Sequence, residues 1–450
     1  MRPADLASAR SVAVYGYGRE GRSLVRHVRR HAPGADLVLV QDGPADDELT
    51  EAAEDGGFEV VTGDGVAEVL TARPFDVILR SPGVSIHHGP LRAAIEAGRD
   101  VTTGLNLWFA EHRPDNVIAI TGTKGKSTTT TVIAHLLRRA GRDVLLAGNI
   151  GLPVLDLDRR PESADHVVLE LSSYQLADLD AELALGVLLN LHPEHVDWHG
   201  DHDQYADDKC RIIELSRVLV VNGDDRELAA RAAGHPDPRW FSVAEREVRA
   251  GSVALARDDL HDALDRSELT GLHQQWNVAA ALATVAEVGV PADDALDFLA
   301  DVVPLPHRLQ VVADDGRRWV DDSISTIPEA AVAALRAFPD DPVTLLAGGY
   351  DRQQDHAVLV AAARAHGRVR VITMPDTGVR FADDLRTSAP DVEVHEAADL
   401  EAAVARAAAI TARGGVILLS PAAPSYGNFR SFEERGDRFA ELASTAEAPA

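Results

Sequence analysis

The stretch Val117-Ile-Ala-Ile-Thr121 followed by Gly122-Thr123-Lys124-Gly125-Lys126-Ser127-Thr128 constrains this chain more than any other. An apolar, β-branched run leads into a glycine-rich turn. A segment with Val132, Ile133, Leu136 and Leu137 on one helical face follows, and Gly141 stands near its end. That is a strand, a loop and a helix. Glycines let backbone N–H groups close around phosphates at a helix N-terminus whose partial charge favours anions. In such a loop Lys126 would reach the β- and γ-phosphates, and the Ser127 hydroxyl would ligate Mg²⁺. The spacing between the two glycines is shorter than in the common phosphate-loop pattern.

Composition sharpens the lysines. The 450 residues include 44 basic ones, of which only Lys124, Lys126 and Lys209 are lysine. A genome-level bias against lysine codons accounts for the scarcity. Under it, a retained lysine marks a place where a permanently charged planar guanidinium cannot replace an amine. The net charge of −28 speaks against a nucleic-acid partner. One cysteine, Cys210, allows no internal disulfide and fits a reducing compartment. No apolar run approaches the ~18–20 residues of a membrane span, and the first residues lack the pattern of a signal peptide. A cytoplasmic protein without membrane contact is expected.

The length suggests two to four domains. Over residues 1–105, SVAVYGYG, DLVLVQD, FEVVTG and DVILRSPG read as strands, and the stretches 23–28 and 91–97 as helices. Such alternation implies a parallel sheet covered by helices. A second αβ unit spans 106–304, and Pro304-Leu305-Pro306 reads as a linker. In 305–450 the strands are VTLLAGG, VRVITM and GVILLSP, with an alanine-rich helix around 399–412 and a frayed STAEAPA tail. The expected class is α/β, with a Rossmann-like N-terminal domain, a central phosphate-loop domain and a Rossmann-like C-terminal domain.

Gly16-Tyr17-Gly18-Arg19-Glu20-Gly21 follows the strand SVAVY, and Asp42 ends the next strand. This is the dinucleotide fingerprint. It suits NAD or FAD, a uridine nucleotide, or a tight turn that binds nothing. Glu170 closes the apolar run HVVLE beside the phosphate loop, where a Mg²⁺ partner belongs; the bland reading is a surface acid. His195 sits in Asn190-Leu-His-Pro-Glu-His-Val-Asp197 and reads equally as a cation ligand or a structural histidine. A helical reading of 204–214 puts Tyr205, Lys209, Ile212 and Ile213 on one stripe. A half-buried amine loses its charge and can react; alternatively it packs its stem and snorkels.

In this order, the segments GTKGKST, GNIGLPVL, ELSSYQL, LNLHPEHVDWHGDHDQYADDKCRI, GLHQQWNVAAAL, PHRLQ, WVDDS and LLSPAAPSYGNFRSFEERGDRFAEL resemble the Mur ligases over about 11–442. The resemblance implies three domains, holding in turn UDP, ATP and the incoming amino acid. Gly16, Tyr17, Gly18, Asp42, Ser81, Pro82 and Gly83 would then meet the UDP substrate. Residues Gly122 to Thr128, with Asn277, Arg308 and Asp322, would meet ATP. Ser127, Glu170, His195 and Lys209 would hold two Mg²⁺ ions, Lys209 as a carbamate formed with carbon dioxide. Asn149 falls near the muramoyl–phosphate region. Lys126, Lys209, His195, Glu170 and Asn149 form the implied catalytic set, and Thr326, Arg352, Ser425 and Phe432 the implied glutamate pocket. The activity implied is ATP-driven ligation of glutamate to UDP-N-acetylmuramoyl-L-alanine in peptidoglycan precursor synthesis, by a monomer.

Two departures lie in the amino-acid pocket. Ile324 stands where members that add D-glutamate usually carry a lysine that meets a substrate carboxylate, and Pro424 and Gly427 also differ from the usual pattern. A charged hydrogen bond is worth roughly 1.5–3 kcal/mol. Its loss points to the branch that adds L-glutamate and leaves inversion to a separate epimerase; the alternative reading is the same ligation with D-glutamate.

Overall fold

The computed structural model describes residues 6–446, apart from 46, 193, 244–246, 251–252, 268, 270–272, 304–305, 352–353 and 426. The chain divides into two compact units, Met1–Arg266 with Gln275–Asp301, and Ser267–Gln274 with Val302–Ala450.

The first unit holds two sheets. One is built of β1 (Ser11–Tyr15), β2 (Asp36–Gln41), β3 (Glu59–Thr62), β4 (Val77–Arg80) and β5 (Val101–Thr103), in the order β3-β2-β1-β4-β5. Every pairing is parallel. The interior strands β1, β2 and β4 are runs of valine, leucine and isoleucine, as expected of strands covered on both faces. Helix α1 (Arg19–His31) lays Leu24, Val25 and Val28 against Val12, Val14, Leu37 and Leu39. Its start is fixed by Gly21, whose missing Cβ would lie 1.9 Å from the Gly16 carbonyl oxygen.

The second sheet comprises β6 (Val117–Thr121), β7 (Val144–Gly148), β8 (His166–Glu170), β9 (Leu183–Leu188), β10 (Ser216–Asn222), β11 (Pro238–Ser242), β12 (Glu247–Ala250) and β13 (Val253–Ala256). Its order is β13-β12-β11-β10-β9-β6-β8-β7. The strands from β7 to β11 run parallel, and β12 and β13 add an antiparallel edge. β6 therefore sits between β8 and β9, so the loops leaving all three strands gather at one carboxyl edge. Helix α2 (Lys126–Arg139) buries Val132, Ile133, Leu136 and Leu137. Helix α3 (His202–Leu215) is capped by the Asp201 carboxylate, which accepts from Gln204 N at 2.8 Å, and buries Tyr205, Lys209 and Ile212.

The two sheets are joined by charge. Arg80, at the end of β4, is completely buried. Its Nε and Nη2 donate to the Asp178 carboxylate at 2.8 and 2.5 Å, and Nη2 also donates to the Tyr174 carbonyl at 2.8 Å. Arg26 of α1 pairs with Asp156 at 2.6 Å.

The other unit carries β14 (Gln310–Asp314), β15 (Arg318–Asp321), β16 (Val343–Gly348), β17 (Val369–Met374), β18 (Glu393–Glu396) and β19 (Val416–Leu419), ordered β14-β15-β19-β16-β17-β18. Only the β14–β15 pairing is antiparallel. The alanine-rich segment forms a helix over Leu400–Ile410. The last helix, Phe432–Thr445, packs Phe439 near Trp319 and keeps Ser444 and Thr445 helical, where fraying was expected. The expected linker residues Pro304 and Leu305 lie outside the described residues. Among the described residues no helix is long and apolar enough to cross a membrane.

Candidate active site

The loop after β6 is shaped by two glycines. Gly125 caps α2 at φ 82°, and a Cβ there would lie 2.1 Å from the Asn277 side-chain oxygen. A Cβ on Gly122 would approach that of Leu189 to 2.8 Å. The loop is pinned from β9. Thr123 N donates to the Asn190 carbonyl at 3.0 Å, and the Asn190 side chain both accepts from Lys124 N at 2.8 Å and donates to Lys124 O at 3.0 Å. Thr123 Oγ1 and the Tyr205 hydroxyl are 2.6 Å apart, which ties the loop to α3. Lys126 folds over the turn, donating to the carbonyls of Gly122 and Thr123 at 2.9 Å each. Ser127 and Thr128 form the first turn of α2 behind it.

Lys209 enters the same loop from α3. Its Nζ donates to the Gly122 carbonyl at 3.1 Å and lies 5.0 Å from the centre of the Tyr205 ring. The side chain is buried. Burial, reinforced by the neighbouring charge of Lys126, holds its amine well below the ordinary lysine range.

Glu170 ends β8 and is buried. Asn149 Nδ2 donates to its Oε1 at 2.7 Å, and Asn149 N donates to its backbone oxygen at 2.9 Å. Among the described residues Oε2 has no hydrogen-bond partner. His195 caps the short helix Val196–His199 in the left-handed region, with its ring 5.0 Å from that of Tyr174. Burial, aided by Lys209 and Lys126 and opposed by Glu194, lowers its pKa, which favours a neutral imidazole. Glu194 itself pairs with Lys124 at 2.5 Å.

Across the first sheet, Gly16 at φ 89° accepts from Ser81 Oγ at 2.7 Å. The Tyr15 hydroxyl donates to Asp42, and burial beside that carboxylate raises the phenol's pKa. Gly16, Ser81 and Asp42 thus share the carboxyl edge of β1, β4 and β2. The Arg22 guanidinium lies 5.3 Å from the Tyr17 ring, Gly18 caps α1, and the Pro82 carbonyl accepts from Arg80. Space around a Cβ at Gly83 is open.

Profiles of known families match both units. That of the Mur ligase middle domain covers residues 120–285, and that of the Mur ligase glutamate ligase domain covers 307–423. A Micromonospora UDP-N-acetylmuramoyl-L-alanine–L-glutamate ligase is 41% identical, with both chains covered in full. The chain belongs to the Mur ligase family. A similarly named Salinispora tropica ligase is 40% identical over 98% of each chain, and one from Xanthomonas oryzae pv. oryzae is 37% identical over 96% of this chain and 95% of its own. Two Thermotoga maritima structures share the fold. UDP-N-acetylmuramate–alanine ligase MurC has TM-score 0.58 at 16% identity, covering 98% of this chain and all of its own; MurF ligase in complex with ADP has TM-score 0.53 at 18%, covering 98% of each.

In this Mur ligase the first unit brings together Gly122–Thr128, Asn149, Glu170, His195, Lys209 and Asn277. Arg308 and Asp322 belong to the other unit. There Asp322 is buried and accepts from Ser325 and Ser420 hydroxyls, while burial pushes its pKa up to about 6. Ser425 lines a cavity of about 260 Å³ with Gly348, Gly349, Asn428 and Arg435. Phe432 accepts at its carbonyl from Ser323 Oγ at 2.8 Å. Thr326 and Ile324 are half-buried, with Ile324 N donating to the His307 carbonyl at 3.2 Å. Arg352 lies outside the described residues.

Sequence reasoning overlooked Arg19 and the two side-chain hydrogen bonds of Asn190. Arg19 donates to the carbonyls of Asn149, Gly148 and Gly151 at 2.6, 3.3 and 3.1 Å, linking the first glycine turn to the loop that carries Asn149. Its variable place within the glycine fingerprint gave no sign of this.

Proposed function

We propose that this Mur ligase joins L-glutamate to UDP-N-acetylmuramoyl-L-alanine, driven by cleavage of ATP to ADP and phosphate. In this reading residues 1–105 form a Rossmann-like UDP domain, 106–304 a phosphate-loop ATP domain, and 305–450 a Rossmann-like amino-acid domain, in a monomeric cytoplasmic enzyme upstream of an epimerase. The observation that carries it is the buried Lys209 amine, hydrogen-bonded to the carbonyl of the loop's own Gly122.

The residues fit a hard divalent cation. Glu170 offers a buried carboxylate oxygen without a hydrogen-bond partner among the described residues, an arrangement that costs free energy unless a cation or donor meets it. Ser127, Glu170, His195 and a carbamate on Lys209 would hold two Mg²⁺ ions. Bound there, they supply positive charge against the oxygens of the transferring phosphoryl group. Lys209 suits the carbamate because an uncharged amine attacks carbon dioxide and a guanidinium does not.

The alanyl carboxylate is a poor electrophile at neutral pH. Its oxygen attacks the γ-phosphorus, ADP leaves, and an acyl phosphate forms. The loop N–H groups and Lys126 hold the phosphates in line for that transfer. The glutamate amine then attacks the acyl carbon, and phosphate departs from the tetrahedral intermediate. Asn149, fixed by Glu170, is placed to orient the substrate near the reacting phosphate.

The L-enantiomer is supported by Ile324 and by the names of the relatives above. Inverting the α-carbon while the amine stays fixed moves the carboxylates. A cation at 324 then has no partner, and in this reading Thr326, Arg352, Ser425 and Phe432 would meet the glutamate. The decisive assay is phosphate release dependent on UDP-N-acetylmuramoyl-L-alanine, with D- and L-glutamate compared. L-glutamate should be preferred at least about 100-fold in kcat/KM, roughly 2.7 kcal/mol. Efficient ligation of D-glutamate with the L-form inert would overturn the stereochemical assignment. No release with either would overturn the ligase reading.

A further inference from the structure

A second group of metal-type donors lies on the other side of α3. The loop after β4 brings His87 against two residues of the central sheet's elements, His199 and Asp208. One carboxylate oxygen, Asp208 Oδ2, is 2.6 Å from His87 Nε2 and 2.6 Å from His199 Nδ1. All three ligand atoms lie within 4.8 Å of one another. We propose that His87, His199 and Asp208 form a binding site for a transition-metal dication of the Zn²⁺ class, clasping the first sheet to the helix that carries Lys209.

The surroundings are those of a built site. His199 and Asp208 are buried at 2% and 4% exposure. His199 Nε2 is 3.0 Å from Ser173 Oγ, which gives the ring a second place for its proton, so that Nδ1 can become a lone-pair donor when an ion enters. Gln204 Nε2 donates to Asp208 Oδ1 at 3.0 Å, so Oδ1 is held and Oδ2 is left to the centre. Outer partners of this kind fix ligand orientation in metal sites. His87 is only partly buried and borders a cleft of about 850 Å³ that also reaches Gln204, Asp208 and Cys210, which provides a way in.

The site is separate from the phosphate loop. Consecutive helical residues point about 100° apart. Lys209 therefore reaches Gly122 while Asp208 faces His87. The donor sets differ as well. Two imidazoles and one carboxylate suit Zn²⁺ and its neighbours, whereas Mg²⁺ prefers oxygen and water. Ligands at about 2.1 Å from a metal stand roughly 3.0–3.4 Å apart. Entry of the ion thus moves each ring proton that faces Oδ2 to the other nitrogen of its ring, Nδ1 of His87 and Nε2 of His199 beside Ser173, and parts the three groups by about half an ångström or somewhat more. It also replaces two hydrogen bonds by coordination bonds across the same contact.

The test is calorimetric titration of the full chain with ZnCl₂, in excess Mg²⁺ and ADP, with thermal melts run alongside. One equivalent of Zn²⁺ should bind and raise Tm. Loss of an outer partner typically costs about 10–100-fold in metal affinity; loss of a ligand in His87→Ala should cost at least that and abolish the rise in Tm, with ADP affinity unchanged. Asp208→Asn should act in the same direction, and Cys210→Ser should have no effect. Three results would overturn the proposal: no saturable Zn²⁺ binding to the wild type, undiminished binding in His87→Ala, or binding that depends on Cys210.

Discussion

The chain uses a strand, a glycine turn and a helix twice in its first unit, with opposite charge arrangements. In the turn after β1 the glycines serve close packing: Gly21 has no room for a Cβ beside Gly16. The charged residues of that turn are engaged elsewhere. Arg19 reaches the carbonyls around Asn149, and Glu20 accepts from Gln175 at 3.0 Å. In the loop after β6 the amines bend inward, with Lys126 and the buried Lys209 both donating to the Gly122 carbonyl. The first turn can therefore offer a phosphate only backbone N–H groups and hydroxyls. The second gathers two amines on one carbonyl, with Lys209 sealed from water and Lys126 beside it. One backbone motif thus carries charged side chains turned away from the turn in the first case and amines turned onto it in the second.

The sharpest way to break that contrast is to replace the Lys209 amine by a permanently charged guanidinium. Lys209→Arg should lower kcat at least about 1,000-fold, roughly 4 kcal/mol, with added bicarbonate giving no recovery. Turnover near wild type would mean that charge alone suffices there. Next comes Gly21→Ala. Overpacking commonly costs 1–3 kcal/mol, and a contact with backbone should fall at the upper end, about 3 kcal/mol in urea unfolding. The phosphate loop has its own supports, so ADP affinity measured on the folded fraction should stay within about twofold; a collapse of ADP binding would show the two turns to be coupled.

A smaller effect is expected at the pin between β9 and the loop. Asn190→Ala removes two hydrogen bonds to Lys124 and should raise KM for ATP about tenfold, near 1.4 kcal/mol, while KM for the UDP substrate holds. Equal changes in both constants would contradict the assignment of the loop to ATP. The smallest effect belongs to Glu194→Gln. Lys124 is 50% exposed in that pair, so the change should stay below about 1 kcal/mol and fade as salt is added.

What the sequence made legible follows from what is local. The interior strands announced themselves as apolar runs, and Lys209 stood out because helical spacing put it on the stripe with Tyr205 and Ile212. The strand, loop and helix around Gly122–Thr128 were readable because they are contiguous. The pairing of Asn149 with Glu170 was not, since it depends on β7 and β8 lying side by side. Nor was the meeting of His87 with Asp208, which requires two sheets to pack. In the C-terminal unit Ile324 declared a missing cation, but no pattern indicated that Arg435 of the last helix would line the cavity with Ser425.

Arg80 has a consequence for how the molecule comes apart. Its guanidinium is sealed from water and neutralised by Asp178, a residue that belongs to the neighbouring sheet's connections. Prising the two sheets apart would strip the guanidinium of Asp178, the Tyr174 carbonyl and the Trp198 ring together, so these contacts are lost as one unit. The first five strands should therefore not melt as an independent module. Under denaturant, amides of β4 should begin to exchange with solvent at the same urea concentration as those of β8, and a fragment ending at residue 105 should lose the near-ultraviolet signature of a packed core.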